Sequence, residues 1–325
     1  MQTKRLRFWK TFRLGEELDV SGTLIYNGLR RFHELPKLDH SADLFEVFYQ
    51  LSIGLERLMK IAIVLLEHDD VNDPDAFERG LYTHNHQTLL ARIQKHVDLQ
   101  LSSSGNAFLH ILTNFYENLR YDRFSINAPL ALGREKHNLL DFFERHLQVN
   151  FGDRDSMFGH QNTDQFKKFI FKIVSKIARV LYGIIEDRGR CLGLYTYELR
   201  RGSKAETVFL REANISLEDI LWKELLVFFM NSKETTGYLN FLRGIEPLPF
   251  DPGLVEDYLD CFQSDNTRSQ VLDEMEALYE DVSDKGERLR LISVIGSPND
   301  YFPGCDGDKG VTDTLDSLDD PDSKN

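Results

Sequence analysis

Apolar residues recur three and four positions apart along most of this chain, the period of an amphipathic helix. Between Asp43 and His68, one face holds Leu44, Phe48, Leu51, Leu55, Leu58, Met59, Ala62 and Leu66. Glu56 and Lys60 stand four apart on the polar side, a helix-supporting pair. Leu89, Leu90, Ile93 and Val97 predict a short helix from His86 to Val97. The run Ser102–Gly105 then ends one element and caps the next. Phe108, Ile111, Leu112, Phe115 and Leu119 predict a helix from Ala107 to Arg123, and another spans Glu135 to Val149. The longest stripe follows: Phe166, Ile170, Ile173, Val174, Ile177, Leu181 and Ile184 on one face, with Lys168, Lys172, Lys176 and Arg179 opposite. Asn162, with Gln165 three residues on, is the expected N-cap of that helix.

The first forty residues carry a weaker pattern, with a helix over 24–35 stopped by Pro36. Residues 196–211 alone have strand character and predict a short hairpin. Helical patterns return over 216–230, 233–243, 253–263 and 267–295, broken by a loop at Pro247, Pro249 and Pro252. From about residue 297 the chain is acidic, rich in Gly and Asp and nearly free of core residues, which predicts a disordered tail. The expected fold class is therefore all-α. It comprises an N-terminal extension (1–40), a helical bundle (41–192), an accessory helical region (193–296) and the acidic tail (297–325).

Composition changes this picture in two ways. A hydrophobic content of 41% supplies a sizeable core and excludes wholesale disorder. The net charge of −14 hides an asymmetry: residues 1–200 hold 27 basic and 26 acidic side chains, so the acidic excess lies beyond them. A local basic patch for nucleic acid therefore fits the first part, and the acidic second part suits docking of a protein partner. Three widely spaced cysteines suit a reducing compartment, and no apolar run reaches membrane-spanning length. A cytoplasmic protein without a membrane span is the expectation.

The chemistry-bearing candidates are few. Arg154, followed by Asp155, stands six residues before His160, and a long helix opens just beyond. A guanidinium and an imidazole at a helix N-terminus suit an anionic phosphodiester. Arg79 stands at similar spacing from His84 and His86, but in a loop after an acidic turn, so context favours Arg154. In FYENLRYDRF (115–124), Arg120, Tyr121 and Arg123 alternate cation and aromatic, a pattern for phosphate and base contact. The bland alternative is a helix end whose cations complement the dipole. Lys168 and Lys172 are further RNA-binding candidates, set against a merely solvated face. His84 and His86 lack the partners of a metal site, and no metal or other cofactor is expected.

The order of elements, SIGLERLMKIAIVLLEH, then THNHQTLLARI, then RD…H before a last long helix, resembles the HEPN superfamily of helical bundles. The resemblance covers roughly residues 40–190, and Asp155 meets the family's preference for a polar residue after the arginine of R-x(4–6)-H. It departs from the family in the glycines Gly152 and Gly159 around the motif. The resemblance implies a metal-independent endoribonuclease of toxin–antitoxin or phage-defence type, acting as a homodimer, with Arg154, Asp155 and His160 catalytic. The competing class is a non-catalytic HEPN-like interaction module that dimerises and holds RNA or a protein partner.

Overall fold

A computed structural model describes residues 7–67, 74–122, 124, 133–154, 156, 159–211, 215–233, 237–262 and 265–296. Among them every regular element is helical, and a lone antiparallel bridge joins Lys37 to Gln161. The chain divides into two compact units, Met1–Leu217 and Glu218–Asn325. Among the described residues no helix is long and apolar enough to cross a membrane. The acidic tail lies outside the described residues.

The first unit is built around α2 (Ser41–Glu67). The sequence pattern marks one apolar face on it, yet Val47, Ile61, Ile63, Val64 and Leu65 are buried as well. It is enclosed most fully between Leu51 and Leu65, and α1 (Leu14–Glu34), α4 (His86–Gln94), α5 (Ser103–Asn114), α6 (Arg134–Leu147) and α7 (Asp164–Cys191) all pack on it, while Glu46 and Tyr49 nearer its start are exposed. A short α3 (Pro74–Arg79) precedes α4, and α8 (Lys204–Phe209) packs on α1 and α7.

Residues 14–34 thus belong to the bundle and not to an extension. Leu18 and Ile25 are fully buried, and the face toward α2 also carries Ser21 and Gly28, while Gly22 admits Ala205 of α8. Small residues let α1 approach α2 closely. Ser21 Oγ donates to the Gly54 carbonyl at 2.7 Å, and a Cβ at position 54 would stand 2.7 Å from Ile25 Cγ1. A π-helical turn, Trp9–Arg13, leads into α1.

Several boundaries differ from expectation for local reasons. Asn162 does not cap α7, whose N-cap is Thr163. Its side chain is buried and donates instead to the Phe32 and Leu35 carbonyls at 2.7 and 3.1 Å, closing the end of α1. The expected hairpin over 196–211 is turns followed by α8, because Ser203 accepts from the Glu206 N–H and starts a helix. Ser102 does cap α5, accepting from Gly105 N–H. At the C-terminal end of α5, Phe115–Leu119 wind as a π-helical turn before one further turn, Arg120–Asp122.

His86, fully buried, ties three elements. Its Nε2 lies 2.9 Å from the Ser52 carbonyl of α2, and its Nδ1 lies 3.2 Å from Thr113 Oγ1 of α5. Burial lowers its pKa below the ordinary histidine value.

The second unit contains α9 (Ile215–Asn231), α10 (Gly237–Gly244), α11 (Val255–Asp260), α12 (Asp265–Glu280) and α13 (Lys285–Ser293). The Tyr258 hydroxyl donates to the Glu274 carboxylate at 2.8 Å and joins α11 to α12. Apolar residues of α9, among them Leu221, Phe228 and Met230, are left uncovered by the unit's other helices.

Two outcomes are expected. Gly54→Leu forces α1 off α2 and costs about 3 kcal/mol, read as a lower urea midpoint; an unchanged midpoint would contradict the close crossing. The neutral His86 ring makes stability full above about pH 6.5 and lost as pH falls below it, since the unfolded imidazole takes a proton that the buried one resists. Urea titrations at several pH values should show that slope flattened in His86→Gln, and equal slopes would contradict the assignment.

Candidate functional site

The loop between α6 and α7 holds Arg154 and His160, and the structure gives each its own carboxylate partners. The Arg154 guanidinium ion-pairs Asp141 through Nη1 and Glu144 through Nη2, the latter at 2.5 Å. Burial opposes its charge, but Glu144 and Asp141 more than offset this and raise its pKa above the ordinary arginine value. Glu144 also accepts from the Phe151 N–H at 3.2 Å, so one acid on α6 pins the loop twice. His160 is 8% exposed, with its ring edge-on to Phe151. Its backbone N–H donates to Asp39 Oδ2 at 2.8 Å, and its carbonyl accepts from Leu38 N–H at 2.8 Å.

Asp39 is itself held by Lys136 at 2.8 Å. Burial works against its ionisation, and the Lys136 ammonium and the His160 N–H outweigh that, leaving its pKa below the ordinary aspartate value. Gly159 adopts φ +71°, and a side chain there would collide with the Asp39 carboxylate. The glycine therefore serves a tight approach that locks the loop. Both fork nitrogens of Arg154 are occupied by carboxylates, and His160 faces inward. Asp155 lies outside the described residues.

The cation–aromatic stretch is more open. The π turn places Arg120 Cζ 3.9 Å from the Tyr116 ring centre and 4.4 Å from that of Tyr121, and Nη2 donates to the Tyr121 hydroxyl at 2.6 Å. Arg120 Nε is buried without a hydrogen-bond partner. Tyr121 is 60% exposed. Burial, with Glu56 adding to it and Arg120 opposing, raises the Tyr116 pKa, so its hydroxyl keeps its proton at neutral pH. Arg123 lies outside the described residues. On α7, Lys168 and Lys172 are exposed on the outer face.

The same Tyr116 ring packs against His84, centre to centre at 4.7 Å. His84 is half-exposed, and its Nδ1 lies 2.9 Å from Glu56 Oε2. Glu56 is only 6% exposed, and its other oxygen pairs with Lys60 at 2.6 Å. The pair read from the sequence as a surface helix support is thus a buried carboxylate that positions a histidine. The packing of neighbours around this part of α2 puts Glu56 inside, and its two partners meet its hydrogen-bonding needs. The sequence offered His84 only as a metal ligand without partners and as one of the histidines near Arg79, and neither pattern points to Glu56. The deciding partner, Glu56, is 28 residues from His84 along the chain.

Two residues of the sequence-selected set, Arg120 and Tyr121, are brought together with His84 and Glu56. No protein-family model, curated protein or solved structure matches the chain.

Arg154→Ala is expected to lower the melting temperature, and a double-mutant cycle with Glu144→Gln should give losses that do not add. Additive losses would show that the ion pair does not hold the loop.

Proposed function

We propose that this chain is an RNA-acting helical bundle of HEPN-like type, whose acid–base group is His84 rather than His160. The observation that carries the reading is the buried Glu56 carboxylate at 2.9 Å from Nδ1 of half-exposed His84, beside Arg120. A carboxylate at Nδ1 favours the tautomer with the proton there, leaving the Nε2 lone pair for a substrate. In this scheme Nε2 takes the 2′-hydroxyl proton of a single-stranded RNA. The 2′-oxygen then forms a bond to phosphorus as the P–O5′ bond breaks, and the departing oxygen receives the proton from the imidazolium. Arg120 balances charge on the phosphate oxygens, and Tyr121 offers a face to a base. Lys168 and Lys172 add phosphate attraction that weakens with salt.

In this proposal the bundle works as a homodimer in a toxin–antitoxin or phage-defence setting, in the cytoplasm, with the acidic second unit docking a protein partner. A second reading, a module that holds RNA or protein without cleaving it, is favoured by the carboxylate partners of Arg154 and by the burial of His160.

A cleavage assay on single-stranded RNA separates the two. Wild type is expected to yield 2′,3′-cyclic phosphate ends, with His84→Ala and Arg120→Ala slower by about 100-fold or more. His160→Ala and Arg154→Ala should keep their rates once folding is matched by circular dichroism. RNA binding without cleavage would leave the holding reading. Loss confined to the Arg154 and His160 variants would overturn the site assignment.

A further inference from the structure

A groove of about 610 Å³ runs between the start of α4, the outer side of α5 and α6. That volume lies in the range of small-ligand sites. Ala107, Ile111 and Phe142 give it apolar patches, while its polar lining is dominated by side-chain amides. The Asn114 amide bonds Asn118 on the π turn that carries Arg120, so the groove leads toward that surface.

The amides are not interchangeable, because each is half committed. Gln87 Nε2 donates to the Asn106 carbonyl at 3.1 Å, which leaves Gln87 Oε1 as an acceptor. Asn106 Nδ2 donates to the Leu101 and Ser102 carbonyls, which leaves its Oδ1 as an acceptor beside the first. Asn114 Oδ1 accepts from Asn118 at 3.0 Å, which leaves its NH2 group as a donor. The free functions on this wall are thus acceptors on Gln87 and Asn106 and a donor on Asn114, and Asn138 of α6 adds a further amide across the groove.

Charge completes the description. Asp141 is the one acidic residue lining the groove, and Arg154 pairs with it. Arg154 thereby compensates the carboxylate that would repel an anion, while Arg145 and His110 contribute cationic or polar character. An apolar surface, paired acceptors, a donor and an exposed arginine match a nucleotide: a flat base with an amino group, and a phosphate.

We propose that this groove is a nucleotide subsite that selects bases carrying an exocyclic amine, as in adenine or cytosine, over uracil. The amine gives its protons to Gln87 Oε1 and Asn106 Oδ1. Asn114 donates to a ring nitrogen or carbonyl, and Arg145 takes the phosphate. The inference deepens the RNA reading, and it rests on that reading where the nucleotide is taken as a unit of a strand.

The test uses the full chain and titrates AMP, CMP and UMP by calorimetry, followed by competition with short oligo(A) and oligo(U). AMP and CMP are expected to bind more tightly than UMP by roughly fivefold to tenfold, the worth of one solvent-open hydrogen bond. Gln87→Leu should abolish that preference, and Asn114→Asp, nearly isosteric, should weaken all three nucleotides. Thermal melts of both variants confirm that they fold. Displacement of AMP by oligo(A) assigns the site to RNA; AMP that oligo(A) cannot displace assigns it to the free nucleotide. Equal affinity for UMP, or no saturable binding of any mononucleotide, overturns the proposal. Nucleotide binding without RNA cleavage removes the cleavage reading and keeps the subsite, whereas cleavage without nucleotide binding does the reverse.

Discussion

The burial of α2, most complete between Leu51 and Leu65, is the constraint from which the first unit follows. Few positions in that stretch reach solvent, so a polar group buried there is costly without a partner. Its polar positions must therefore be matched by particular partners. Ser52 offers a main-chain carbonyl to His86, Gly54 accepts Ser21, and Glu56 holds Lys60 and His84. The contacts to His86, Ser21 and His84 each fix a neighbouring element, so the polar interruptions of this core set the positions of α4, α1 and the loop before α4.

His84 and His86 show how that constraint divides two similar residues. They are separated by one position, and sequence reasoning considers them together as metal ligands. His86 enters the core, where both ring nitrogens meet neutral oxygen atoms and burial disfavours its charge. His84 stays at the surface with one nitrogen against a buried carboxylate. The first is a structural pin with its ring fully enclosed. The second retains a nitrogen available for chemistry.

The helices of the chain were legible because their apolar periods are long and regular, as on α2 and α7. The first helix was less so, since Ser21 and Gly28 toward α2 and Gly22 toward α8 dilute the hydrophobic signal. Those small residues are the physical reason the crossing is close. The π turn at Phe115–Leu119 adds a residue to one turn, which no apolar spacing at helical period marks. Arg120 and Tyr121 could be chosen by type, but their arrangement around Tyr116 depends on that turn. Asn162 was chosen as a cap and is one, although for the C-terminal end of α1 and not the start of α7. The residue's chemistry was readable; its partner, over a hundred positions away, was not.

Arg154 carries the same lesson into function. An arginine and a histidine at short spacing before a helix attract a catalytic reading because their types suit a phosphate. Two carboxylates already occupy the Arg154 fork, so a phosphate would have to displace both, leaving Asp141 and Glu144 close to the incoming anion. The cost falls on two charges at once. Among the described residues no carboxylate pairs with Arg120: its guanidinium lies against two aromatic faces, which do not neutralise its charge. An arginine held by rings can meet a new anion with little rearrangement, whereas one held by acids is better suited to neutralising them. On that physical ground Arg154 ties its loop to α6 through Asp141 and Glu144, and in the proposed site Arg120 is the cation that meets an anionic ligand.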